Sequence, residues 1–143
     1  APGRVSPSPA ESRLSGVNEF TRRGRVVRGA KIGRKLGFPT ANVVVRKIPP
    51  FGVYKVQVSW TGTAPRGAVC NVGVRPTLGP KGKPAVEVHI PGFSGDLYGK
   101  RLVVRFIARL RGARKFVSLA ELKRQIRADI RRALNAGGRS GRI

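Results

Sequence analysis

From Arg25 onward the chain alternates between short apolar runs and turn-forming clusters. The runs are RVV (25–27), ANVVV (41–45), GVYKVQVSW (52–60), GAVCNVGV (67–74), AVEVHI (85–90) and RLVVRFIARL (101–110). Within 53–60 the alternation is strict. Val53, Lys55, Gln57 and Ser59 fall on one side and Tyr54, Val56, Val58 and Trp60 on the other, the two-residue period of a strand. The segments between runs (PPFG, TGTAPRG, RPTLGPKGKP, PGFSGDLYG) consist of residues that favour turns. Short strands at close spacing predict a barrel or a sandwich. Residues 118–134 break the pattern: Leu119, Leu122, Ile126, Ile130 and Ala133 recur at helical spacing, and Ser118 with Glu121 forms a capping box. The prediction is six short strands followed by one amphipathic helix packed on them. No internal repeat is present. Residues 1–23 read as a flexible N-terminal arm or linker, 24–134 as the folded unit, and 135–143 as a basic tail.

At 143 residues the chain suffices for one domain with a real core. Its 19 glycines and 11 prolines fit a loop-rich, β-rich fold. Charge alters the picture more. Thirty Lys and Arg against six Asp and Glu give a net charge of +24, a field that attracts polyanions such as nucleic acid, anionic membranes and nucleotides. No run approaches the roughly 18 apolar residues of a membrane span, and the first residues lack the apolar core of a signal peptide. Cys70, the single cysteine, sits in an apolar run, reads as a buried small hydrophobe and cannot form an internal disulfide. A reducing, cytoplasmic setting is the expectation, with an organelle also compatible.

Candidate chemistry concentrates in two places. In VVRGAKIGRKLGFPTAN (26–42) a strand leads into a turn carrying Gly29, Lys31, Gly33, Arg34 and Lys35, then into Pro39-Thr40-Ala41-Asn42. Glycines let backbone N–H groups approach an anion and the cations neutralise it. Thr40 and Asn42 offer oxygens to a hard cation that also shares phosphate oxygens. The stretch is not a P-loop, and a plain β-turn fits it as well. In AVEVHI, Val86, Val88 and Ile90 fall on one face, Glu87 and His89 on the other. Glu87 is either a proton acceptor for an alcohol, kept ionised by surrounding cations, or a salt-bridged side chain. One histidine cannot build a three-histidine metal site. GDLYG (95–99) reads as a turn anchored by Leu97 and Tyr98, and LRGARKF (110–116) as a basic loop ahead of the helix, with Phe116 a hydrophobic staple.

Taken in order, GRVVRGAKIGRKLGFPTANV, FGVY, NVGVRPTLG, VEVHI, GDLYGKRL and LRGARKFVSLAELKRQIRADI resemble the riboflavin kinase family, in bacteria usually the C-terminal half of a bifunctional riboflavin kinase/FAD synthetase. The resemblance spans residues 24–134. It implies a mainly β fold, a six-stranded antiparallel Greek-key barrel with a C-terminal helix. It implies transfer of the ATP γ-phosphoryl group to the ribityl 5′-hydroxyl of riboflavin, giving FMN and ADP. Carried over, Thr40 and Asn42 would hold Mg²⁺ and the phosphates, and the loop with Gly29, Lys31, Gly33 and Arg34 would cover the nucleotide. Glu87 would be the catalytic base, Ile90 and Tyr98 would line the nucleotide pocket, and Arg111, Arg114 and Phe116 the flavin side.

The chain departs from the family in places. Gly112-Ala113 stands where Pro-Glu is frequent in the flavin loop. A single histidine leaves no HxGH-type motif, so FAD synthesis is not expected, and the FMN adenylyltransferase domain of bifunctional relatives is expected to be missing from the N-terminal side. With no methionine, the chain is expected to start past a processing boundary or to be a fragment. A monomer is expected, without membrane association. The rival expectation is a catalytically silent domain of the same family that binds RNA or the ribosome through its positive charge.

Overall fold

The computed structural model describes residues 19–28, 37–74, 84–112 and 118–142, without the side chains of 119 and 135–142. The alternating runs become β1 (Phe20–Val27), β2 (Ala41–Val45), β3 (Gly52–Ser59), β4 (Arg66–Val74), β5 (Pro84–His89) and β6 (Arg101–Arg111), and the amphipathic stretch becomes helix α1 (Leu119–Arg142). The strands close into a barrel in the order β1-β2-β5-β4-β3-β6. Every neighbouring pair is antiparallel. β3, β4 and β5 follow one another and β6 returns beside β3, which is a Greek key.

Strand alternation decides what the barrel encloses. Tyr54, Val56 and Val58 of β3 point inward with Val26, Val43, Cys70, Val72, Val86, Val88, Leu102, Val104 and Phe106, all buried in one cluster. The ring of Phe20 stacks on Phe106 at 4.7 Å, and Tyr54 meets Phe106 edge-on at 5.0 Å. The Tyr54 hydroxyl donates to the carbonyl of Pro50 at 2.6 Å, so its polar end is satisfied inside the core. Only glycine fits where β1 crosses β2, because a Cβ on Gly24 would lie 2.0 Å from the carbonyl oxygen of Val44.

α1 lies against the outside of β3, β4 and β6. Ala133 and Ile130 pack there on Val53, Val69 and Leu110. The Ser118 hydroxyl accepts the N–H of Glu121 at 3.1 Å, the expected cap. Two boundaries differ from the expectation. β1 begins at Phe20, within the stretch read as an arm, because Phe20 finds Phe106 to stack on. α1 continues to Arg142 through the stretch read as a tail, since no proline after Pro91 interrupts its hydrogen-bond ladder.

Candidate active site

At one end of the barrel the last residues of β1, the approach to β2, the end of β5 and the turn at 95–98 enclose a cleft of about 120 Å³. Thr40, Asn42, Ile90 and Tyr98 all line it, together with Arg28 and Asp96. The local chemistry of each segment places these side chains. The 95–99 turn is tied to β1 by the N–H of Gly99 on the carbonyl of Val26 at 2.9 Å, with Gly99 at φ +82° where a side chain would be strained. Asp96 accepts the N–H of Tyr98 at 2.9 Å, fixing the turn from within. Tyr98 is therefore held at the rim, 53% exposed, with the guanidinium of Arg28 over its ring at 4.0 Å.

The segment leading to Thr40 is held from the other side. Nδ1 of His89 donates to the carbonyl of Pro39 at 2.7 Å, and because a carbonyl can only accept, Nδ1 carries the proton. The ring of Phe38 meets His89 edge-on at 5.8 Å. The lone histidine thus straps the Pro39-Thr40 approach to β5.

Glu87 projects from the outer face of the barrel, since Val86 and Val88 on either side of it point inward. It is nonetheless only 4% exposed. Strand register sets it directly opposite Asn42 on β2 and directly opposite Asn71 on β4. Asn42 also faces Val27 on β1, Asn71 faces Val53 on β3, and Val53 faces Arg111 on β6. One row, Val27–Asn42–Glu87–Asn71–Val53–Arg111, crosses all six strands. Asn42 belongs both to this row and to the cleft, and so joins Glu87 to the walls that hold Thr40 and Tyr98.

Arg111 has a task the sequence did not indicate. Its Nε and Nη2 donate to Oδ1 and Oδ2 of Asp129 on α1 at 2.9 and 2.8 Å, and Gln125 donates to Oδ1 at 2.9 Å. The side chain expected on the flavin side is thereby drawn into a two-pronged tie between β6 and α1. Gly29, Lys31, Gly33 and Arg34, expected over the nucleotide, lie outside the described residues, as do Arg114 and Phe116.

Arg28, Asn71 and Asp129 were not singled out from sequence. Arg28 is one cation among thirty, and Asp129 looks like a helix-surface acid until the partner on β6 is known. Asn71 could have been found by pairing the Glu87 strand with its neighbour, but the sequence does not give register.

The donors suit a nucleotide-bound divalent ion. Thr40 and Asn42, two positions apart, supply neutral oxygens on one wall, and among the described residues no group of three or more His, Cys, Asp or Glu could cage a metal alone. An ion here would rely on phosphate oxygens and water, as Mg²⁺ does. Among the described residues no helix is long and apolar enough to cross a membrane.

The family model for riboflavin kinase matches residues 17–136. The bifunctional riboflavin kinase/FMN adenylyltransferase of Pseudomonas fluorescens is 49% identical over 109 residues, covering 75% of this chain and 35% of that protein. A crystal structure titled macrolide-efflux protein from Streptococcus pneumoniae superposes with a TM-score of 0.73 at 33% identity, over 88% of this chain and 41% of that one. The riboflavin kinase of Trypanosoma brucei superposes with a TM-score of 0.58 over 85% of this chain and 78% of that one, at 23% identity, a likeness of fold. This chain spans little more than a third of the length of the curated relatives it matches, 35% in the first. The chain belongs to the riboflavin kinase family.

Proposed function

Starting from that membership, we propose that the chain phosphorylates riboflavin at the expense of ATP, giving FMN and ADP. The nucleotide occupies the cleft, with its base and ribose towards Ile90 and Tyr98 and its phosphates towards Thr40 and Asn42. Thr40 and Asn42 hold Mg²⁺ through their oxygens; when bound, the ion neutralises charge on the phosphates. The Glu87 carboxylate takes the proton of the ribityl 5′-hydroxyl. That oxygen forms the new bond to the γ-phosphorus, the bond from phosphorus to the ADP oxygen breaks, and the proton leaves Glu87 to solvent. Phosphoryl transfer asks for positioning and charge neutralisation more than covalent help, and a barrel of paired strands supplies position. By family resemblance Gly29, Lys31, Gly33 and Arg34 serve the nucleotide and Arg114 and Phe116 the flavin, and the functional unit is the barrel with its helix. The protein acts as a monomer in the cytoplasm.

The observation that carries this reading is the register that sets Glu87 beside Asn42, at the edge of the cleft that Asn42 shares with Thr40 and Tyr98. Chromatographic assay of FMN from riboflavin and Mg-ATP tests it. The parent should turn over, and Glu87→Gln should lose roughly 10²- to 10⁴-fold in kcat, the usual contribution of a positioned base. Turnover that survives the substitution removes Glu87 from the role. No FMN from a folded parent removes the kinase reading.

A further inference from the structure

The row through Glu87 has two sides, and the mechanism above uses only one. On the β2 side Asn42 leads into the cleft. On the β4 side stands Asn71, directly opposite Glu87, where Cβ atoms of facing residues are about 5 Å apart. Its character differs from its neighbours in the row. Glu87 and Val53 are buried, whereas Asn71 is exposed. Among the described residues its carboxamide makes no hydrogen bond. It therefore offers two N–H donors and one oxygen acceptor to whatever lies on that face. Two positions on, on the same face, Gly73 stands opposite Ala85, both small and both buried, and the Asn71 oxygen lies 4.0 Å from where a Cβ on Gly73 would be.

In-line displacement fixes which reactant lies there. The attacking oxygen enters opposite the leaving group, with the base at the attacking oxygen. Because the phosphates lie on the β2 side of Glu87, the acceptor approaches from the β4 side. We infer that Asn71 binds the acceptor: its carboxamide holds a secondary hydroxyl of the ribityl chain, so that the terminal hydroxyl rests against Glu87. A carboxamide suits a polyol, since each hydroxyl both donates and accepts. The assignment rests on the kinase reading and on the register of β4 with β5.

The experiment compares parent, Asn71→Ala and Asn71→Ser with riboflavin and with analogues that each lack one secondary hydroxyl of the side chain. Asn71→Ala should raise the KM for riboflavin roughly five- to tenfold, the loss of one hydrogen bond, and leave the KM for ATP unchanged. Asn71→Ser should recover part of the loss. The penalty should vanish for one analogue, the one lacking the hydroxyl that Asn71 holds. A penalty equal across all analogues, or one falling on ATP, overturns the assignment. Should Asn71→Ala fail to melt as a folded protein, Asn71→Ser carries the comparison. Quenching of riboflavin fluorescence separates the two readings when no FMN forms. Flavin binding that the variant weakens keeps the contact at Asn71 while the kinase reading fails; binding that it leaves unchanged, or no binding at all, overturns the contact.

Discussion

The proton on Nδ1 of His89 shows how much one side chain can set. Its bond to the carbonyl of Pro39 ties the residue before Thr40 to β5. His89→Ala should raise the KM for ATP about tenfold through loosened positioning, with the KM for riboflavin little changed, as steady-state kinetics with each substrate varied would report. Cys70 sets a second expectation. Burial pushes its thiol well above the ordinary value of 9.0, and burial likewise raises the Tyr54 hydroxyl. A folded-state pKa above the unfolded one means that the unfolded chain gives up the proton first. The stability involved is complete below about pH 9 and declines above it, by about 1.4 kcal/mol per pH unit per group. Burial lowers the pKa of Lys55, which acts in the opposite sense. Urea melts from pH 8 to 10.5 should show a shallower alkaline decline for Cys70→Ala than for the parent. Residue type and local spacing drew Thr40, Asn42 and Glu87 out of the sequence, whereas the pocket position of Tyr98 came from the family resemblance, its spacing having read as a core-anchored turn. Asp129 and Asn71 owe their roles to partners far away in the chain, and no local pattern carries that.

At the scale of elements, the strands are joined by backbone ladders, whereas β6 and α1 are joined by side chains. Asp129 is 4% exposed and takes both prongs of Arg111, while Arg132 reaches back to the carbonyl of Leu110 at 2.6 Å. Removing one partner strands the other charge. Asp129→Ala should cost about 3 kcal/mol in chemical denaturation, with a loss of helical signal if α1 detaches. Gly24→Ala should cost at least as much, about 3 kcal/mol, because the added methyl meets backbone that cannot swing aside. The strands themselves were readable, since a two-residue period with turns between needs no tertiary knowledge. The end of α1 was not: glycines in 135–142 suggested a stop, yet the backbone ladder continues through them. Closure into a barrel rather than a sandwich came from family resemblance, because period alone cannot say whether the first strand meets the last.

For the molecule as a whole, the excess of cations has a cost written into the sheet. Arg25 on β1 stands directly opposite Arg101 on β6, two like charges on facing positions, both exposed. Among the described residues the facing strands offer Arg105 the nearby carboxylate of Glu19. Arg101→Glu should turn repulsion into attraction and raise stability by about 0.5 kcal/mol at low salt. Parent and variant should converge as added salt screens the pair, which paired thermal melts would follow. The same field predicts retention of single-stranded RNA that weakens steeply with salt, while riboflavin binding hardly responds. A salt-insensitive RNA complex would contradict so simple an electrostatic origin. Finally, β1 is hydrogen-bonded to β6, so the first strand made is completed only by the last. On the ribosome, a nascent chain that has delivered five strands still shows the outside world two raw edges, which invite pairing with another chain. Any pause in translation before residue 111 should therefore lengthen the time in which a chaperone has to shelter it, and synthesis speed late in the message becomes a quality-control variable.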